Sequence, residues 1–492
     1  MSLLDSAAEP RLSLAEILTV EDTADLLEYR CPATGMPIWP QVRMWFLRQV
    51  MGDLLYSDAA PDFPLRHPLR QAVPTMARSL LRNWRMRHSS MIQSPVLITT
   101  EALADQLVSG KWTNRMADPF AEVADTQSLV LIDQHEWQWH FPRHNRRTYL
   151  HAPLQFWTGM AAKFAPADAA RGQAREVAAL VRERANSLLG WDMGPSREIA
   201  FAGYIGRKLL TMPLRYRAYR KLFGTIRPQV LLNSSGCYGQ IAAMLAAAND
   251  MGIVTAEFQH GAVSDGHDAY NFAPTLRSDD RFRRVLPTYY LSYGDWWNER
   301  INAPVEKLSI GYPARARKLA ALDEARTERN AVLILGDGVE LDLYLDLARK
   351  LRDRLAGTGL EVVFRPHPIE RTTAIQRYGQ TAGGVRIDDG FDIYQAFRGA
   401  HAVISEVSTG LFEAVGLVER ILMLDTAKAR FAYPVHPFTV VTSLDGLAQA
   451  IISEDGGRPA VSPERLWAED WQSSYMRFLA TNAKIAGLGH DS

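Results

Sequence analysis

Residues 402–425, AVISEVSTGLFEAVGLVERILMLD, decide the fold. An apolar run of strand type, AVIS, stops at the small polar turn EVSTG, and after a short helical stretch a second run, ILML, stops at Asp425. Compact Val, Ile and Leu runs of this kind suit parallel strands buried on both faces. The same reading applies to EVVFRPHP (361–368) and IVTAEFQHG (253–261), so the polar groups of all three segments project from the carboxyl ends of strands. That is where open α/β sheets bind ligands. Ser408, Thr409 and Gly410 are expected to open a helix. Backbone N–H groups and hydroxyls at a helix start form an anion site, and phosphate is its usual occupant.

Working outward, the strand runs fall into two series. The first holds SPVLITT (94–100), SLVLID (128–133), QVLLNSS (229–235), IVTAEFQHG, TYYLSYG (288–294) and KLSIGYP (307–313). The second holds AVLILGD (331–337), EVVFRPHP, GVRIDD (384–389), AVISEVS (402–408), RILMLD (420–425) and TVVTS (439–443). Strands alternating with helices at this density predict doubly wound parallel sheets. A charged, Ala-rich segment, ARARKLAALDEARTERN (314–330), divides the series. The expected organisation is α/β: a helical N-terminal extension over 1–90, a Rossmann-like domain over 91–315 with a helical insertion near 150–225, a second Rossmann-like domain over 325–460, and a C-terminal helix over 461–492. Two such domains leave a cleft between two sets of strand ends, one side for a nucleotide and the other for an acceptor.

The chain has 492 residues, more than one hydrophobic core normally organises. Lys plus Arg and Asp plus Glu both total 55, so the overall charge points to no nucleic-acid partner. Locally the balance differs. Between Asp62 and Glu101 there is no carboxylate, while Arg66, Arg70, Arg78, Arg82, Arg85 and Arg87 interleave with Leu65, Leu69, Val73, Met76, Leu80, Leu81, Trp84 and Met86. Two readings stay open for 66–88: a basic amphipathic helix on an anionic membrane surface, or a solvated arginine face on a core helix. Cys31 and Cys237 lie far apart without metal-ligand spacing, which argues against a disulfide framework or a zinc site. The N-terminal stretch carries early acids and no apolar signal core, and the expected location is cytoplasmic, with a peripheral position at the inner face of a membrane left open.

Chemistry concentrates at the strand ends. In FRPHP, Pro366 and Pro368 stiffen a loop carrying Arg365 and His367, and a preorganised imidazole N–H can stabilise charge developing on a departing phosphate. Ser408 and Thr409 are expected from a neighbouring strand end to face the same space, where they also serve as helix caps. Glu413, four residues past Thr409, is placed to accept from ribose hydroxyls or to be satisfied in the core. In EFQHG, Glu257, Gln259 and His260 face the cleft from the opposite wall, followed by Ser264, Asp265, His267 and Asp268. A histidine near neutral pKa suits removal of an acceptor hydroxyl proton. Asp342 and Asp346 fall at i, i+4 on a helix and read as solvated carboxylates, not as a cation site.

QHG, RPHP, a DIY crossover and a strand followed by Ser405, Glu406, Val407, Ser408 and Thr409 together resemble the GT-B group that includes CDP-glycerol glycerophosphotransferases, bacterial polysialyltransferases and capsular Kdo transferases. The resemblance covers roughly 225–425, with Glu406 where the group usually has aspartate. It implies a GT-B fold with a nucleotide-binding interdomain cleft, a nucleotide-sugar donor and a glycan or lipid-linked acceptor; the HP and Ser/Thr pairing favours a CMP-linked acidic sugar, and without a DxD-type motif at a strand end neither a metal nor another cofactor is expected. It also implies donor-phosphate contacts from His367, Ser408 and Thr409, with Arg365, Gly410 and Glu413 beside them. Two bases stay open: His260, as in the glycerophosphotransferases, or Asp337 of Gly336-Asp337-Gly338, as in the acidic scheme of the polysialyltransferases. Glu257 stands with them as a catalytic candidate, and Gln259, Asp265 and His267 as acceptor-side candidates. A nucleotide-sugar 2-epimerase and a non-catalytic component of polysaccharide assembly or export are the competing functions.

Overall fold

The structure, a computed structural model, describes residues 12–55, 69–134, 137–322, 328–390, 392–453 and 456–483. Each predicted strand run is present. In chain order the strands are β1 (Val96–Glu101), β2 (Asp105–Val108), β3 (Lys111–Asn114), β4 (Ser128–Asp133), β5 (Thr148–Leu150), β6 (Val230–Asn233), β7 (Val254–Phe258), β8 (Tyr289–Ser292), β9 (Glu306–Ser309), β10 (Ala331–Leu335), β11 (Glu361–Arg365), β12 (Thr381–Ala382), β13 (Val385–Ile387), β14 (Ala400–Ser405), β15 (Arg420–Leu424) and β16 (Thr439–Val441). The first sheet has the order β5-β4-β1-β6-β7-β8-β9 and is parallel throughout. The second has the order β12-β13-β11-β10-β14-β15-β16, parallel except for the edge strand β12.

Chain order reverses between β1 and β6 in the first sheet and between β10 and β14 in the second. At such a crossing point the loops leave in opposite directions and open a crevice beyond the strand ends. The turns 234–236 and 406–410 therefore lie at the two places where this architecture receives ligands.

The N-terminal helices are part of the first domain's core. Trp39, Val42, Phe46 and Leu47 of helix Trp39–Leu55 are buried, and they join one apolar cluster with Phe201, Ile205 and Phe223 of the long helix Gly194–Ile226. That helix and its partner Asp168–Leu189 fill the predicted insertion. At the other end the predicted C-terminal helix is broken into Pro463–Leu466 and Trp471–Asn482. The latter returns to the first sheet, where Trp471 and Tyr475 meet Phe120 edge-on. The chain that follows the second domain thus packs on the first.

Candidate functional site

On the second-domain rim three turns lie side by side. β10 ends in Gly336-Asp337-Gly338, and its neighbours β11 and β14 end in the His367 loop and in 406–410. His367 and Ser408 were expected on neighbouring strand ends; β10 lies between them, so two strand spacings, about 10 Å, separate their strands. The glycine turn fills the gap without side-chain bulk. Gly338 has φ +91°, and a Cβ there would come within 2.9 Å of the His367 Nδ1. A Cβ on Gly336 would strike Glu370. Gly410 packs as closely on the other side, where a Cβ would lie 2.5 Å from Leu335.

His367 is half-buried, and its pKa is lowered by burial, with Asp337 opposing. Its backbone N–H donates to Glu370 Oε1 (2.9 Å) and its Nδ1 accepts from the Ile369 N–H (3.3 Å), which pins the loop. Glu370, a residue not singled out in the sequence, is buried and its carboxyl is pushed up to about 7 by that burial. Ser408 Oγ accepts from the Gly410 N–H (3.2 Å), and the Ser408 N–H donates to Ser405 Oγ (3.4 Å). The helix that follows spans only Gly410–Glu413. The anion site expected from a helix start therefore reduces to one turn, two of whose donors are already engaged.

Arg365 is turned away from the rim. It ion-pairs with Asp388 and donates to the Gly390 carbonyl (2.8 Å), so the turn after β13 holds it. Asp337 is also engaged. Its Oδ1 accepts from the Val339 and Glu340 N–H groups (2.8 and 2.9 Å), and Oδ2 pairs with Lys428 (2.7 Å). Burial would raise its pKa, but Lys428 and these donors bring it below the ordinary value.

Lys428 also pairs with Glu340 and with Glu406 (2.6 Å). Glu406, fully buried, accepts from the Tyr344 and Thr426 hydroxyls (3.0 and 2.6 Å). Asp337, Glu340 and Glu406 are close enough to hold a cation, and the Lys428 ammonium sits among them. Burial lowers the lysine's pKa, yet the carboxylates hold it well above the usual range. Asp342 and Asp346 are surface groups, paired with Arg377 (3.0 Å) and Lys350 (2.7 Å).

On the first-domain rim the EFQHG residues are interlocked. Glu257 is fully buried. Its oxygens accept from the Cys237 N–H and the Tyr270 hydroxyl (both 2.8 Å), and burial raises its pKa. Gln259 donates to the Gly261 carbonyl (2.7 Å) and accepts from the Tyr293 N–H (2.9 Å), bracing the β7 and β8 ends.

His260 lies between two tyrosines, with Nδ1 3.5 Å from the Tyr270 hydroxyl and Nε2 3.4 Å from that of Tyr238. Tyr270 donates to Glu257, so its oxygen is left to accept from Nδ1–H, the tautomer that leaves the Nε2 lone pair facing the Tyr238 hydroxyl. Burial lowers the His260 pKa to about 4, helped by His267 and Arg115. His267 contacts Asp268 (3.3 Å), whose carboxyl is held at about 2: burial opposes, but His267 and two arginines outweigh it.

The polar loop after His260 reaches across the cleft. Ser264 donates to the Ala432 carbonyl, and a Cβ on Gly266 would meet the Phe431 carbonyl at 1.9 Å. Asp265 is half-buried with a raised pKa, caused by burial, and lies 3.8 Å from Arg300. Buried Arg43 holds the loop from behind, donating to the carbonyls of Asp268 and Asn271 (2.7 and 2.8 Å) while Glu21 pairs with it.

Between the walls stands Arg115, which the sequence did not reveal. It follows the β2–β3 hairpin, whose turn residues Ser109 and Gly110 have φ +49° and +75°. With Thr100, Ser234, Ser235 and His260 it lines a cavity of about 170 Å³ at the crossing point of the first sheet. Its charge reaches both His260 and Glu413 of the second domain. Burial raises the Glu413 pKa, and Arg115 offsets this most. The Leu-Val-Ser-Gly-Lys-Trp string, a two-residue turn of the hairpin type, was the available signal.

No family model matches the chain, and no curated protein does. Among solved structures it is similar to a glycotransferase of kitacinnamycin (13% identity, 79% of this chain and 96% of that one, TM-score 0.37). It is also similar to the UDP-GlcNAc 2-epimerase from Neisseria meningitidis bound to UDP-GlcNAc (13%, 78% and 98%, 0.37). A third is the wall teichoic acid polymerase TagF (11%, 86% and 93%, 0.35). At TM-scores this low the likenesses add nothing to the site, which rests on its own geometry.

Proposed function

We propose that the protein is a GT-B glycosyltransferase that moves a sugar from a nucleotide-sugar donor, CMP-linked acidic sugars being favoured, to a bacterial surface glycan or glycoconjugate acceptor. The observation that carries this reading is the crossing point of the second sheet, where Gly336 and Gly338 keep a turn free of bulk between His367 and Ser408–Gly410. A phosphate seated over that turn meets an imidazole on one side and hydroxyls on the other. The acceptor oxygen bonds to the anomeric carbon, the bond from that carbon to the phosphate oxygen breaks, and the nucleotide leaves with the electron pair.

The acceptor proton goes to a base on the first-domain wall. His260 is neutral at pH 7 and faces the Arg115 cavity, whereas Asp337 is tied to Lys428. A bound anionic donor raises the proton affinity of His260 toward the range a general base needs. Glu257 and Tyr270 act by positioning that ring. His367 and Arg115 meet the charge on the departing phosphate, and among the described residues the carboxylate cluster suited to a cation is filled by Lys428, which supports a scheme without a metal.

Titrating CMP, CDP, UDP and GDP while following the melting temperature tests the donor site. A shift with a cytidine nucleotide is expected, and the absence of any shift would overturn the reading. Incubation with nucleotide sugars alone separates transfer from its rival: slow release of free nucleotide fits a transferase, while epimerisation without acceptor selects the epimerase.

A further inference from the structure

Helix Leu69–Arg87 is built inside out. Thr75, Ser79 and Asn83 face the protein, and their contacts are hydrogen bonds. Thr75 donates to the Trp137 carbonyl (2.7 Å) and Ser79 to the Gln134 side chain (2.9 Å). Asn83 donates to the Leu150 carbonyl and accepts from its N–H (2.7 and 2.9 Å). At 100° per residue the opposite side carries Val73, Leu80, Leu81 and Trp84, which are 74%, 41%, 48% and 58% exposed. An ordinary surface helix buries its apolar stripe and solvates its polar one. Here the polar stripe anchors the helix, with buried Met86 at its end, and the large apolar side chains of the opposite stripe, Val73, Leu80, Leu81 and Trp84, are left outward.

Charge flanks that stripe. Arg78, Arg82 and Arg85 run along one side and Arg87, which donates to the Tyr149 hydroxyl (2.7 Å), along the other. Arg78, Arg82 and Arg85, with Arg146 and Trp139, line a cavity of about 440 Å³ beside exposed Leu81 and Met91. Arg82 is seated against Phe141 (4.4 Å) and donates to the Arg146 carbonyl (3.1 Å), and burial together with Arg143 lowers its pKa. Four guanidinium groups around one hollow demand an anion, and the adjoining apolar side chains demand a hydrocarbon phase.

We propose that this face docks the protein on an anionic phospholipid surface, with Val73, Leu80, Leu81 and Trp84 entering the headgroup and acyl boundary and the hollow among Arg78, Arg82, Arg85 and Arg146 taking a lipid phosphate. Charge complementarity selects this occupant: a bilayer of anionic lipids supplies phosphates and hydrocarbon side by side at the spacing of one helix face. The inference does not depend on the transfer chemistry, because no residue of the two rims takes part.

Flotation of the full chain with vesicles of phosphatidylglycerol and phosphatidylcholine, against phosphatidylcholine alone, tests it. Binding to the anionic vesicles is expected, weakened by salt, with about fivefold lost for each arginine removed in Arg78→Gln and Arg85→Gln. Leu81→Glu with Trp84→Glu is expected to abolish binding while circular dichroism and nucleotide-induced melting shifts stay as in the parent. Blue-shifted Trp fluorescence that disappears in the Trp84→Phe variant places the stripe in the bilayer. The proposal fails if anionic vesicles are not bound, or if the double glutamate variant binds them as well as the parent. It also fails if light scattering shows that the stripe is covered by a second copy of the chain, or if inorganic phosphate alone saturates the hollow and vesicles do not compete.

Discussion

The two rims of the cleft hold their polar groups in opposite ways. The first-domain rim is aromatic at its centre: His260 lies between Tyr238 and Tyr270, with Glu257 behind them and buried. The second-domain rim is ionic and glycine-lined: Lys428 among three carboxylates beneath a turn that a Cβ would obstruct. Burial on the aromatic side lowers a histidine's proton affinity without a compensating carboxylate at the ring. On the ionic side one ammonium bridges three carboxylates and leaves the backbone fixed in place. One wall is suited to taking up a proton, the other to receiving a rigid, multiply charged group.

The sharpest way to break this contrast is Lys428→Met. It leaves Asp337, Glu340 and Glu406 uncompensated, and urea unfolding is expected to show a loss of about 3–5 kcal/mol. Little change in the unfolding midpoint would show that the cluster is not the keystone of its rim. His367→Ala leaves the fold intact, so the same unfolding curve as the parent is expected together with a fall in donor turnover of about 100- to 1,000-fold. Normal turnover in that variant would refute the assignment of the phosphate site.

His260 tests the other wall. Its removal as Ala is expected to slow transfer by about 100- to 10,000-fold while the nucleotide-induced melting shift persists, since the ring belongs to the first domain. Loss of nucleotide binding in that variant would erase the division between the walls. The smallest effect is that of Glu370→Gln. The folded pKa of about 7 lies above the ordinary 4.5, so the unfolded state releases its proton first as pH rises, and stability falls between these values and stays lower above pH 7. Glutamine keeps the acceptor for the His367 N–H, and at pH 8 it is expected to gain about 1–2 kcal/mol, a gain that vanishes at pH 4. A stability difference independent of pH would separate Glu370 from this account.

Much of this was open to reading along the chain. The strands were found because an apolar run of Val, Ile and Leu has few other uses, and their ends drew attention to 257–261, 336–338, 365–368 and 408–410. What failed were statements about direction. Arg365 stands in the same five residues as His367 and points the other way, because Asp388 of the next crossover pairs with it. Lys428, 91 residues from Asp337, carries no local signal of the cluster it completes. Arg115 was missed with the whole β2–β3 hairpin, whose partly exposed strands lack the apolar density that marked the others. Helix 69–87 showed its composition plainly, but whether its arginine and leucine face turned inward depended on three hydrogen-bonding side chains and the strand end they met. The part of the predicted 66–88 segment before Leu69 lies outside the described residues.

Local pattern was sufficient for the α/β class, the pair of sheets and the segments that end at their rims, since hydrophobic periodicity and turn chemistry act between near neighbours in the chain. Sheet order, the insertion of β10 between the His367 and Ser408 strands, and the pairing of each charge arise from contacts between residues far apart in sequence. Those contacts are set by how whole elements fill space together, and no short stretch of residues records that packing.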